Sequence, residues 1–114
     1  MVSRGDWAPD RGDVVWMNFS PQIGREQAGY RPALTLSPAS FNRLTGLGLF
    51  CPVRSRAKGY PFEVLIPAGL KIQGAILTEQ ARTMDWRARR IKLAERLPAS
   101  IVSEALARVS ALLA

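Results

Sequence analysis

Glycine and proline punctuate this chain at short intervals as far as Gly74 and then give way, Pro98 apart. No long helix survives such punctuation, and the apolar runs between the breaks are short, as strands are. Val14-Val15-Trp16-Met17-Asn18-Phe19, after Gly12-Asp13, is β-branched and aromatic. Pro32–Leu36, Gly46–Val53, Phe62–Ile66 and Gly74–Thr78 read as four further strands, and the charged stretch Arg90–Ala94 as a sixth. Gly48 within the third suggests a bulge or bend. Beyond Pro98 the period changes. Ile101, Val102, Ala105, Leu106, Val109, Leu112 and Leu113 recur at helical spacing, with Ser103, Glu104, Arg108 and Ser110 opposite. Proline suits a first helical turn. The expectation is a mainly β fold: a small, barrel-like or strongly bent antiparallel sheet carrying a C-terminal amphipathic helix. At 114 residues, one domain covering residues 1–114 is expected.

Composition limits the chemistry. The chain has no histidine and one cysteine, Cys51. A Ser-His-Asp triad, a Cys-His dyad, His-ligated metal and a disulfide framework are all excluded. Any reaction must rely on Arg, Lys, Glu, Asp, Tyr, Ser or Thr, and neither metal nor cofactor is expected. No apolar run reaches the length of a membrane span, and the polar N-terminus does not resemble a signal peptide. A cytoplasmic protein fits.

The charge is +7, from 16 basic and 9 acidic residues; 13 of the basic residues are Arg. Residues 1–60 hold 8 basic and 4 acidic groups and residues 61–114 hold 8 and 5, so the excess is spread through the fold. Arg binds phosphate and carboxylate in a bidentate manner. Nucleic acid or an acidic protein is the implied partner, although an Arg-favouring genome produces the same bias.

Four segments carry candidate chemistry. Glu26-Gln27-Ala28-Gly29-Tyr30-Arg31-Pro32 sets a carboxylate and a guanidinium across a glycine turn. It reads as an anion site with a base nearby, or as a solvated loop. Arg54-Ser55-Arg56-Ala57-Lys58 places three cations beside a hydroxyl, with Tyr60 close by; this is a phosphate-binding loop or a solvated basic turn. Met84-Asp85-Trp86-Arg87-Ala88-Arg89-Arg90 sets a Trp among arginines, to stack on bases or to cap the core. Thr78-Glu79-Gln80 ends a strand with polar groups able to meet base edges.

Taken in order, the segments resemble the MazF/PemK (Kid) family of toxins. The resemblance runs from Gly12-Asp13-Val14-Val15-Trp16 through Glu26-Gln27-Ala28-Gly29, Arg31-Pro32-Ala33, Leu36-Ser37-Pro38, Phe41-Asn42 and Pro52. It continues through Lys58-Gly59-Tyr60-Pro61-Phe62-Glu63-Val64 to Gln80 and Trp86-Arg87-Ala88-Arg89, covering nearly the whole chain. It implies an SH3-like barrel, shared with the CcdB toxins, and a homodimer. It implies a metal-independent endoribonuclease that cuts single-stranded RNA by 2′-OH attack, leaving a 2′,3′-cyclic phosphate and a 5′-OH. The implied partner is an antitoxin with an acidic, partly disordered tail.

Residue by residue, the family's essential arginine matches Arg31, its acidic partner Glu26, and its RNA-contacting positions Phe19, Asn42, Glu79 and Gln80. Arg56 and Lys58 of the basic loop join the expected RNA-binding set. The histidine often found before the essential arginine is Tyr30 here. The family's second essential residue, a threonine, is replaced by Arg54; Ser55 is the nearest hydroxyl, expected on the opposite face. Arg54 either serves as a second phosphate clamp, or fills the scissile-phosphate pocket or pairs with Glu26, leaving a relative that binds RNA or antitoxin without cutting. A CcdB-like gyrase poison is the remaining alternative, since fold does not fix target.

Overall fold

The computed structural model describes residues 7–20, 27 and 29–114. Seven strands form one antiparallel sheet: β1 (Asp13–Asn18), β2 (Tyr30–Thr35), β3 (Leu47–Arg54), β4 (Glu63–Leu65), β5 (Ala75–Leu77), β6 (Arg82–Asp85) and β7 (Lys92–Arg96). Two helices accompany it, α1 (Ala39–Thr45) and α2 (Ala99–Ala111), with a 3-10 turn at Thr78–Gln80. The hydrogen-bonded order is β4-β5-β3-β2-β1-β7, with β6 also paired to β3. β3 is therefore the hub. Its first half pairs with β6, its last two residues pair with β5, and its middle pairs with β2. A strand shared in this way must bend, which curls the sheet around its core.

The alternation of β1 explains why its sequence is apolar from Val14 to Met17. Side chains on a strand point to opposite faces in turn, and both faces are covered. Val14 joins Leu34, Leu36, Cys51, Val53, Val64 and Ile76 in one buried cluster, closed by Val102 and Ala105 of α2. Val15, Met17 and Phe19 join Ala33, Phe50, Met84 and Trp86 in the other. Burial raises the Cys51 thiol pKa to about 12, with the Glu79 charge adding to the effect, so the thiol stays protonated and inert.

The expected fold class is present, and four of the six expected strands lie within about a residue of their places. β2 starts two residues earlier than expected, at Tyr30, and the sixth expected strand falls two residues late, at Lys92–Arg96, because a turn occupies Trp86–Arg90 and leaves Arg90 at φ 50°. Two elements went unread. α1 is too short, at seven residues, to show a helical period. β6 carries Arg, Thr and Asp around one buried Met84. Gly48 marks no bulge: the β3–β6 register runs through it. A Cβ there would meet the Phe50 ring at 2.8 Å, so crowding requires the glycine. Leu112 and Leu113 lie past the end of α2 and are exposed rather than part of its buried stripe.

Candidate RNA-cleavage site

β2 and β3 set the site. Ala33 pairs with Pro52, and the same antiparallel register carried two residues on puts Arg31 opposite Arg54. Their surroundings differ. Arg31 is half-buried, its Nη1 donates to the Val53 carbonyl at 3.4 Å, and it borders a cavity of about 440 Å³. Trp16, Tyr30, Val53, Ser55, Lys71 and Gln73 line the same cavity. Tyr30 is exposed and stacks on Trp16, ring centroids 5.5 Å apart and planes 13° apart. Burial, and after it the Arg54 charge, lower the Arg31 pKa from its ordinary value; two guanidiniums share one neighbourhood.

Arg54 is not among the residues lining that cavity. Its guanidinium is in contact with the Glu63 carboxylate, its Nε donates to the Arg56 carbonyl at 3.1 Å, and it lies 5.8 Å from the Tyr60 ring centroid. The Glu63 carboxylate is buried and also accepts from the Lys58 and Gly59 N–H groups, each at 3.0 Å. Burial alone would raise the Glu63 pKa, but the two N–H donors and the Arg54 charge outweigh it, and the net shift is downward from 4.5. Gly74 makes this end of β3 possible. At φ +116° its backbone passes so close that a Cβ would sit 2.0 Å from the Arg54 carbonyl.

The segment that follows Arg54 is pinned at several points. Thr78 Oγ1 donates to the Phe62 carbonyl at 2.5 Å. Arg108 of α2 donates to the Pro61 carbonyl and pairs with Glu104 at 3.0 Å. Lys58 and Arg56 stay exposed on this braced loop.

A second, smaller cavity of about 140 Å³ is lined by Phe19, Gln27, Pro52, Glu79, Gln80, Ala81 and Arg82. Phe19 is buried and forms part of its wall, with the Arg82 guanidinium 5.5 Å from its ring centroid. Gln80 Oε1 accepts from the Gln27 N–H at 2.8 Å, tying the β1–β2 connection to the 3-10 turn. Glu79 is exposed.

The sequence-predicted residues thus divide. Arg31 and Ser55 meet at the larger cavity, against the expectation that Ser55 faces elsewhere: β3 ends at Arg54, so strand alternation no longer governs Ser55. Phe19, Glu79 and Gln80 gather at the smaller cavity. Asn42 belongs to neither and needs correction. It is fully buried; its amide donates to the Pro9 and Ser37 carbonyls at 2.8 and 2.9 Å and accepts from Ser37 Oγ at 2.6 Å. It holds α1 in place and has no face for RNA. Trp86 is buried too, donating to the Asn42 and Leu47 carbonyls, so it caps the core rather than stacking on bases. Glu26 lies outside the described residues. Trp16, Lys71, Gln73 and Arg82 were not anticipated at the cavities; only the folding of β1, of the β4–β5 connection and of β6 around β2 and β3 brings them there.

A guanidinium beside an open cavity, a hydroxyl on the same wall and exposed cations nearby suit a phosphodiester. The model of the PemK-like, MazF-like toxins of type II toxin–antitoxin systems matches residues 10–113. The chain belongs to this toxin family. The toxin is 47% identical over 89 residues to the endoribonuclease toxin MazF of Escherichia coli (strain K12), covering 78% of each chain. It is 38% identical over 109 residues to the endoribonuclease PemK of Escherichia coli, covering 91% of this chain and 81% of that one. The crystal structure of MazF from Deinococcus radiodurans superposes with a TM-score of 0.91 at 51% identity, covering 95% of this chain and 98% of that one. A MazE–MazF crystal structure from the same organism gives a TM-score of 0.84 at 46% identity, covering 95% and 97%. Among the described residues, no helix is long and apolar enough to cross a membrane.

Proposed function

We propose that this toxin, acting as a single domain over residues 1–114, is a metal-independent endoribonuclease of the cytoplasm that cleaves single-stranded messenger RNA at preferred sequences. The observation that carries the reading is Arg31 at the rim of the 440 Å³ cavity, with Ser55 on the same wall. In the proposed reaction the 2′-OH attacks the adjacent phosphorus, and the P–O5′ bond breaks as the 5′-oxygen of the next nucleotide departs and takes a proton from water. The products are a 2′,3′-cyclic phosphate and a 5′-OH.

The roles follow from protonation. An arginine holds its proton above pH 12, so Arg31 serves as an electrostatic clamp on the phosphorane oxygens, a contribution of about 3–4 kcal/mol. Glu26, the carboxylate nearest in sequence, takes the 2′-OH proton. Ser55 supplies a hydroxyl to the bound phosphate. Arg56 and Lys58 hold the flanking backbone. Phe19, Glu79 and Gln80 receive a base at the smaller cavity, whose 140 Å³ suits one planar ring system. Pairing of Arg54 with Glu63, away from the cavity, favours an active site over one that Arg54 fills.

Two partners complete the proposal. A relative crystallises as a MazE–MazF complex, and a chain of charge +7 suits an antitoxin with an acidic, partly disordered tail. Homodimerisation follows the family resemblance, and exposed Leu44, Leu65, Leu112 and Leu113 offer apolar surface for it. The test is a 5′-labelled single-stranded RNA incubated with the toxin in excess chelator. Fragments ending in 2′,3′-cyclic phosphate, lost with Arg31→Ala, are expected. RNA left intact, or fragments unchanged in amount with Arg31→Ala, would overturn the reading.

A further inference from the structure

The Lys58-Gly59-Tyr60-Pro61-Phe62-Glu63-Val64 segment contains a buried carboxylate, Glu63, that the proposed reaction does not use. Glu63 opens β4 with its side chain turned inward, and three donors converge on it from four to nine residues upstream, at the end of β3 and in the loop after it. One carboxylate oxygen takes the Lys58 and Gly59 N–H groups; the other meets the Arg54 guanidinium. The loop thus wraps around one fixed anion. β4 is held in turn by β5 pairing at Glu63–Leu77, by Thr78 and, through Pro61, by Arg108 of α2. The anchor is therefore rigid from behind.

Arg54 and Ser55 are neighbours with opposite fates. The first is retained by Glu63, by the Arg56 carbonyl and against the Tyr60 ring; the second lines the cavity with Arg31. A guanidinium released here would find the cavity within reach, because both its chain neighbours, Val53 and Ser55, line that cavity and the β2–β3 register carried on from Ala33–Pro52 sets Arg54 opposite Arg31. We infer that Glu63 is a positioning residue: it holds Arg54 out of the Arg31 cavity and sets the basic loop so that Ser55, Arg56 and Lys58 face the RNA. The inference rests on the ribonuclease reading for its kinetic consequence, though not for its binding consequence.

Two variants separate this role from simple support of the fold. Glu63→Gln keeps an amide oxygen for the Lys58 and Gly59 N–H groups but turns an NH2 toward Arg54, which loses its acceptor. Arg54→Met combined with Glu63→Gln removes the released cation as well. The first measurement is kcat and KM on a labelled RNA. The second is the salt dependence of binding to the same RNA carrying a 2′-deoxy group at the cleaved position, which cannot react. Glu63→Gln is expected to lower kcat by about tenfold or more with little change in KM. The salt slope should steepen by about 0.7, the value for one added phosphate contact on a single strand. The double variant should recover both. Parental kcat in Glu63→Gln, or a double variant no better than the single, would overturn the inference. If the parent cuts no RNA, the ribonuclease reading fails on its own and the slope still decides: an unchanged slope in Glu63→Gln overturns the positioning role.

Discussion

Arg31 and Arg54 stand across from each other in the β2–β3 register, yet the fold uses them in opposite ways. Arg31 emerges near the start of β2, beside a cavity and a stacked Trp16–Tyr30 pair. Arg54 emerges where β3 meets β5 and a buried carboxylate waits. The same side chain borders a cavity in one place and is a structural counter-ion in the other. Charge counted along a sequence cannot distinguish the two; the packing around each guanidinium does.

The comparison breaks most severely at Arg31. Arg31→Ala should slow RNA cleavage by about 10²–10³-fold while leaving the melting temperature near that of the parent. Initial rates on one RNA, beside a thermal melt, test both halves. Arg54→Ala in the same assay should show the reverse pattern, with more effect on stability than on the chemical step.

Glu63→Ala comes next. It leaves the Arg54 guanidinium, whose side chain is 16% exposed, without its counter-charge. Breaking a buried pair from one side costs about 3–5 kcal/mol, and partial exposure of Arg54 places the expected loss near about 3 kcal/mol. Urea unfolding measures it. A loss below that of an ordinary surface substitution would mean the pair contributes little.

A third effect depends on pH. The folded-state pKa of Glu63 is depressed below 4.5. Its stabilisation is therefore complete above the unfolded-state value and is lost as pH falls through the folded-state value. Asp10 behaves alike: the Ala39 N–H leads the causes that lower its pKa from 3.8, with burial opposing. Stability should fall as pH drops below about 4.5, and Glu63→Gln should flatten the upper part of that fall. Denaturant midpoints from pH 6 to 3 read the difference.

The smallest expected effect is at Lys58, which shares the loop with Arg54 but is exposed. Lys58→Ala should weaken RNA binding only a few-fold and make the salt slope shallower by about 0.7. A change in kcat without a change in slope would assign Lys58 to the reaction instead.

Much of the fold was legible because its signals are local. Gly and Pro end the strands, β1 alternates between two buried faces, and the helical period begins at Pro98. α1 escaped because two turns are too few to show a period, and β6 because a strand with one buried residue has no apolar alternation. The Arg31 segment could be read because Gly-Tyr-Arg-Pro compresses a turn and a cation into four residues. What could not be read depends on long-range contact. Lys71 and Gln73 reach the cavity only through the β4–β5 connection. Asn42 shows the opposite failure: the side chain of a polar residue marked for RNA is consumed by Pro9 and Ser37. Glu63 sat inside a recognised motif, but its pairing with Arg54 depends on the turn between them.

The most direct measurement is single-turnover cleavage of one labelled RNA, in chelator, by the toxin and by its Arg54→Thr variant. With Arg54 held by Glu63, the unaltered toxin cleaves, and the variant's rate lies within about tenfold of it, the effect of one exchanged peripheral contact. An inert toxin beside an active Arg54→Thr variant would contradict the account, because Arg54 would then be the residue that closes the site.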